Sequence, residues 1–262
     1  MRYCFGMRNS NLFWKIGAIV FAIAFVCVVV FLYFRLSTSP SPSNNVQHTD
    51  IESTTEHILS PEDYLRDNPI DFSYWQSVNS EIYAWLYVPN TIIDYPVVQS
   101  NSDDSYYLRR DLSGQYFVGG TLFTQSMNKK DFSDRNTVIY GHCMSNGTYF
   151  ADLHKYRDET FFEENSEFYI YTPGHILTYR VFAAYEYDNR HILLSYDLSD
   201  DEIFTEYIES CLNPSTLSRN VRDDITLDLN SKILTLSTCV QSGEDGKRYL
   251  VQGVLISDES TK

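Results

Sequence analysis

The residues best suited to chemistry in this sequence are a cysteine, a histidine and an arginine that each stand at the end of an apolar run. Cys239 closes the run 233–239, and Arg248 opens the next apolar run nine residues later. His142 follows the β-branched run 136–140 after a single glycine. Runs of this length with polar residues on both sides predict buried strands. We therefore expect all three side chains at strand ends, where a sheet meets solvent.

These residue types are suited to nucleophilic attack on a peptide carbonyl. A cysteine needs a partner for its proton, and a fixed cation beside the sulfur favours the thiolate. If the two last strands pair antiparallel across the loop 240–247, Cys239 and Arg248 meet at one end of the sheet. Cys239 is then the nucleophile, His142 the general acid and later the base, and Arg248 the stabiliser of the oxyanion. Lys247 is the alternative cation, but the planar donor fork of arginine suits a fixed hydrogen bond to oxygen better.

Simpler interpretations exist for each residue taken alone. A lone cysteine is most often an inert buried thiol, and a lone histidine is most often structural. A zinc site made by His142-Cys143 and Cys239 would lack the paired ligand spacing of such sites. The acidic pairs 103–104 and 200–201 lack an EF-hand pattern, so we expect no metal and no cofactor. The remaining histidines end no apolar strand and are expected to be bystanders: His48, His57, His154, His175 and His191.

The same residues resemble the signature of a known enzyme family, the sortase transpeptidases. Leu236-Ser237-Thr238-Cys239 with Arg248 after it, and Tyr140-Gly141-His142 before it, carry the resemblance. Three wider segments extend it to class B sortases: 75–88, 136–156 and the helix-like insert 199–212. The resemblance covers roughly residues 61–258, and few other families combine these features in this order.

The resemblance implies a mainly β fold, a sortase-like closed barrel of about eight strands. N-terminal helices would precede it, and a helix would be inserted before the last two strands. It also implies a cysteine transpeptidase that cleaves a C-terminal sorting signal of surface proteins after threonine. The acyl group would pass through a Cys239 thioester to an amine of a peptidoglycan precursor.

The implied substrate groove runs beside the cysteine. Ser237 and Thr238 would lie along it, and the segment before Leu212 would wall the pocket for the first residues of the signal. Within that segment Tyr196 and Ile203 are the candidate lining residues. Three other functions stay open: a pilus-type polymerising sortase, a thiol peptidase or hydrolase, and a non-enzymatic surface protein.

The N-terminal part of the chain predicts a membrane anchor. Residues 16–34 form an uncharged stretch of 19 residues, long enough to span a bilayer. Three basic residues precede it, which places residues 1–15 in the cytoplasm. No small-residue cleavage site follows, which favours an uncleaved signal-anchor. Residues 35–60, rich in Ser, Thr, Asn and Pro, predict a flexible stalk, and 61–262 an extracellular catalytic domain of a single-pass membrane protein.

Charge and cysteine content restrict the partners further. After residue 35 the chain holds 16 basic residues against 35 acidic ones, a balance of about −19. A field this negative argues against nucleic acid as a partner. With Cys4 in the cytoplasm and Cys27 in the membrane, three cysteines remain outside, too few for a disulfide framework. We expect Cys211 to fill the core, and Cys143 to be a redox liability if it reaches Cys239.

The local patterns predict three helices. Ser60-Pro61 reads as a helix start, and Trp75, Val78, Ile82 and Trp85 recur at helical spacing, which predicts a helix over 71–85. A capping pattern at 199–202 predicts a helix through Leu212. Many short strands with few helices favour a closed or nearly closed β-barrel.

Overall fold

Nine strands form a single sheet in the computed structural model, which describes residues 65–239 and 246–262. The strands are β1 Ile82–Tyr87, β2 Asp94–Val98, β3 Leu122–Phe123, β4 Asn136–Tyr140, β5 Glu167–Thr172, β6 His175–Asp188, β7 Arg219–Val221, β8 Ile233–Cys239 and β9 Lys247–Ser260. Their order is β5-β1-β2-β3-β4-β8-β9-β6-β7, and β5 also pairs with β6. That last pairing closes eight strands into a barrel and leaves β7 outside, which confirms the predicted fold.

Helical segments of the described ranges connect the strands. The α-helices are α1 Phe72–Val78, α2 Glu159–Glu164, α3 Ile192–Ser195 and α4 Asp201–Leu212, and two 3₁₀ helices span Tyr106–Arg109 and Phe150–Arg157. The predicted helix before the last two strands is α4. Its N-cap is Asp200, whose side chain accepts from the backbone amides of Glu202 and Ile203. Cys211 is fully buried on its inner face, as predicted.

The predicted helix over 71–85 is wrong beyond Val78. Helix α1 ends there, because Asn79 takes an extended conformation (φ −151°, ψ 116°). The residues that follow are β-branched and aromatic, and they pair as β1 with both β2 and β5. The rings of Trp75 and Trp85 pack 4.9 Å apart. The apolar spacing over 75–85 therefore comes from a helix that packs against the strand following it.

The barrel interior is a dense apolar core. Phe168, Tyr179 and Val251 are among its fully buried side chains. Gly253 is required by this packing, because a Cβ there would lie 2.7 Å from the Phe168 ring. A second apolar cluster joins α4 to the outer face of β6 through Phe182 and its neighbours. The sheet that carries the reactive residues is thus supported from both faces.

The predicted N-terminal segments 1–15, 16–34 and 35–60, and the helix start at Ser60-Pro61, lie outside the described residues. Among the helices in the described ranges, none has the length and apolar character needed to cross a bilayer.

Candidate active site

The antiparallel pairing of β8 with β9 places Cys239 directly opposite Arg248. The guanidinium Nη1 donates to the sulfur at a distance of 2.8 Å. The thiol is exposed to solvent. The positive charge of the guanidinium therefore lies directly beside the sulfur.

The parallel pairing of β4 with β8 brings His142 to the same edge. The register runs from Asn136 opposite Ile233 to Tyr140 opposite Ser237, and the Gly141 amide extends it by donating to the Ser237 carbonyl at 3.1 Å. Both strands then end, so His142 and Cys239 leave the sheet side by side.

Close packing explains the glycine before His142. A Cβ at Gly141 would lie 2.5 Å from Cδ2 of Leu122 and 2.7 Å from Cδ2 of Phe150. The backbone there needs no left-handed conformation, so the requirement is space rather than a turn.

The orientation of His142 is set by the backbone of the first 3₁₀ helix. Its Nε2 lies 2.8 Å from the carbonyl oxygen of Leu108. Because a carbonyl only accepts, Nε2 carries the hydrogen of this bond. Nδ1 is therefore the ring nitrogen that gains or loses the second proton.

A cavity of about 220 Å³ connects these groups. Its lining residues are Leu108, Thr121, Phe123, Tyr140, Gly141, His142, Ser237, Thr238, Cys239 and Arg248. Five of the seven residues predicted from the sequence thus share one cavity: Cys239, His142, Arg248, Ser237 and Thr238.

Two buried hydroxyls at this cavity have no hydrogen-bond partner within the described chain, those of Tyr140 and Thr238. Burial raises the pKa of Tyr140 to about 12, although the nearby positive charge of Arg248 opposes the shift. The phenol is therefore neutral near pH 7.

The other two predicted lining residues lie elsewhere. Tyr196 lines a second cavity of about 530 Å³ together with Asn128 and Leu194. Ile203 is half-buried in α4 and lines neither cavity. His191 lines neither cavity. Its Nε2 is 2.5 Å from the Gln125 side-chain oxygen, and its ring centroid is 6.2 Å from that of Tyr140.

Cys143 follows His142 as a half-buried free thiol. Burial raises the pKa of Cys143, and the nearby Cys239 raises it further. The group is therefore a protonated thiol at neutral pH. The three cysteines of the described ranges are all free.

One residue at this site was missed by the sequence analysis. His154, predicted to be a bystander, lies with its Nε2 3.0 Å from the carbonyl oxygen of Cys239. It sits inside a 3₁₀ helix rather than at a strand end, so neither its spacing nor its neighbours signalled this contact.

Within the described ranges no group of three or more His, Cys, Asp or Glu side chains could hold a metal ion.

Known proteins are similar to this chain in sequence and fold. A family model described as the Sortase domain matches residues 86–256. The chain is 32% identical to sortase B of Listeria monocytogenes over 213 residues, which are 80% of this chain and 81% of that relative.

Two solved structures are similar in fold and sequence. Clostridium perfringens sortase B has a TM-score of 0.63 and 29% identity, covering 71% of this chain and 99% of that one. A Streptococcus pyogenes class B sortase involved in pilus biogenesis has a TM-score of 0.60 and 30% identity, covering 71% and 98%.

Proposed function

This chain belongs to the sortase family and is a cysteine transpeptidase, and from that premise we propose that it attaches surface proteins to the cell wall. It cleaves a C-terminal sorting signal after threonine and transfers the acyl group to an amine of a peptidoglycan precursor. The observation that carries the proposal is the contact of Arg248 with the Cys239 sulfur at 2.8 Å, in a cavity that His142 also lines.

The first half of the reaction forms a thioester. The Cys239 thiolate attacks the scissile carbonyl, a C–S bond forms, and the carbonyl electrons move onto oxygen. The Arg248 guanidinium donates to that oxyanion. When the intermediate collapses, the C–N bond breaks and the leaving amine takes a proton from His142 Nδ1.

The second half reverses these roles. The acceptor amine attacks the thioester and gives a proton to His142 Nδ1, now neutral. The oxyanion forms again at the same donor, and its collapse breaks the C–S bond and releases the thiolate. The exposure of Cys239 to solvent supports access of a second substrate from outside.

The signal peptide occupies the cavity beside Cys239. Ser237 and Thr238 lie along it. Tyr196 contacts a more distant part of the signal through the second cavity. Ile203 lies on α4 and lines neither of the two cavities.

The enzyme acts at the outer face of the cell membrane. Residues 1–15 lie in the cytoplasm, 16–34 span the bilayer once, 35–60 form a stalk, and 61–262 are the extracellular catalytic domain. The uncharged stretch with basic residues before it supports this arrangement. The partners are sorting-signal proteins and the cell-wall amine.

The test is turnover of a fluorogenic sorting-peptide library with and without an added amine, with mass spectrometry of the acyl-enzyme. We expect an amine-dependent product and an acyl group on Cys239. Cys239→Ala should abolish turnover, and Cys143→Ser, which removes the neighbouring thiol, should not. A loss below about tenfold in Cys239→Ala, against the ~10⁶-fold scale of enzymatic acceleration, contradicts the proposal.

A polymerising activity is the second candidate, favoured by the likeness to the S. pyogenes enzyme involved in pilus biogenesis. In that case the acceptor is an amine of another protein, and the product is a ladder of covalent oligomers. A thiol hydrolase would instead release free acid at a rate that added amine leaves unchanged.

A further inference from the structure

The carbonyl of Cys239 lies beyond the end of its neighbouring strand. The carbonyl of Ser237 accepts the Gly141 amide at 3.1 Å. Alternate carbonyls of a strand share a direction, so that of Cys239 points to the same side. There β4 has already turned away, since the His142 carbonyl accepts the Phe150 amide at 2.9 Å. Strand β4 thus offers no backbone N–H to the carbonyl of Cys239, the last residue of β8.

His154 takes the place of that missing partner. It projects from the 3₁₀ helix Phe150–Arg157, and its Nε2 lies 3.0 Å from the Cys239 oxygen. Because the carbonyl only accepts, Nε2 carries the hydrogen. Nδ1 is buried without a hydrogen-bond partner in the described chain, so a second proton would be unsatisfied there.

The surroundings of the ring favour its neutral form. Burial lowers the pKa of His154, although its hydrogen bond to the Cys239 carbonyl opposes the shift. Arg157 lowers the pKa further, and Glu186 raises it. Those two side chains pair with each other at 2.8 Å, which limits the net effect of both.

The same ring also contacts the strand that carries the guanidinium. It packs against Tyr249 with ring centroids 4.8 Å apart. Tyr249 adjoins Arg248 in β9 and lies opposite Thr238 in the ladder. His154 therefore touches both strands of the pair that brings sulfur and guanidinium together.

We propose that His154 is a positioning residue for the nucleophile: its neutral Nε2–H form holds the carbonyl of Cys239 and thereby fixes the sulfur relative to Arg248. The inference rests on the proposed function of Cys239. A misplacement of about 1 Å at a reacting group lowers the rate on the order of 10²-fold. Loss of one of several restraints should cost less, about tenfold.

Three variants of the full chain test this. His154→Leu fills the space without a donor, and His154→Gln restores a donor from an amide nitrogen. His175→Leu is the matched control, because that histidine is exposed and pairs with Asp258 at 2.7 Å. It lies at the end of β6 that is far from Arg248. The measurements are kcat, KM and the rate of iodoacetamide alkylation at Cys239, mapped by mass spectrometry.

We expect His154→Leu to lower kcat about tenfold with KM within about twofold, and to slow alkylation. His154→Gln should regain most of both rates, and His175→Leu should match the wild type. The inference is wrong if His154→Leu turns over like the wild type, or if His154→Gln is as impaired as His154→Leu while both remain folded.

One measurement needs no variant. Nitrogen chemical shifts of the ¹⁵N-histidine-labelled protein report the tautomer of His154. We expect the neutral Nε2–H form at pH 7, and an Nδ1–H form or an imidazolium would refute the inference. If the wild type transfers no acyl group at all, the proposed function fails instead, while the tautomer and alkylation results still decide the role of His154.

Discussion

Replacing Arg248 tests the assignment of the oxyanion donor most directly. Its Nη1 donates to the Cys239 sulfur at 2.8 Å. The guanidinium therefore lies next to the atom that attacks the substrate carbonyl, whose oxygen becomes the oxyanion. Removing one such donor typically lowers kcat about 10²–10³-fold, or about 2.7–4 kcal/mol. The exposed sulfur admits water, which replaces part of the lost hydrogen bonding. We therefore expect the lower end for Arg248→Gln, about 10²-fold.

A charge-preserving variant separates charge from geometry. Arg248→Lys keeps the positive charge but replaces a rigid donor fork with a single ammonium on a flexible stem. We expect it to lose about tenfold in kcat, between the wild type and Arg248→Gln. The assay is amine-dependent release from a fluorogenic sorting peptide, with kcat and KM determined separately.

The neighbouring cation provides the control. Lys247 lies one residue earlier, and its Nζ is 3.8 Å from a carboxylate oxygen of Glu186. Lys247→Gln removes the same charge from the same strand end and should change kcat by less than about twofold. If it loses as much as Arg248→Gln, or if Arg248→Lys equals the wild type, a general positive field rather than a placed donor supports the reaction.

Three further predictions concern stability. Tyr140→Phe removes a buried hydroxyl that has no hydrogen-bond partner within the described chain, so calorimetry should show an unchanged or slightly higher Tm. A decrease of about 1 kcal/mol or more in the free energy of unfolding would show that the hydroxyl does form a hydrogen bond. Gly253→Ala should lower the free energy of unfolding in urea by about 1–3 kcal/mol, because its Cβ would meet the Phe168 ring at 2.7 Å; an unchanged midpoint would contradict the packing argument. The pKa of His154 in the folded protein is lowered from its usual 6.5. Below pH 6.5 the unfolded chain therefore binds more protons than the folded chain. The free energy of unfolding falls with decreasing pH until the folded ring itself is protonated. His154→Leu should show a smaller loss of stability between about pH 7 and pH 5 in urea titrations, and an equal loss would show that other groups cause it.

The sequence was sufficient to predict the arrangement around the sulfur. A loop of only eight residues between two apolar runs permits little except an antiparallel pair, so Cys239 opposite Arg248 followed from chain length. The parallel partner of β8 was not predictable in this way. It comes from a strand nearly a hundred residues away. His142 was selected because it follows an apolar run, but no local pattern predicted which strand would pair with β8.

The features that could not be predicted from the sequence share one cause, because each depends on contacts distant in sequence. The helix predicted over 71–85 fitted its apolar spacing, but the pairing of β1 with β2 and β5 overrode it. His154 looked unremarkable until the fold placed its ring against the Cys239 carbonyl. Ile203 was chosen for its position near a predicted helix start, and no local pattern could tell which helix face meets the substrate cavity.

The pairings of β8 with β4 and with β9 also bear on the order in which the site is assembled during synthesis. The side chains of Asn136 and Thr235, 99 residues apart, are hydrogen-bonded within the pairing of β8 with β4. Contacts this remote close slowly, and β8 gains its other neighbour only when the final strand has emerged. A nascent chain whose strand β9 has not yet emerged therefore carries the thiol without the guanidinium. We expect no activity before β9 has joined the sheet.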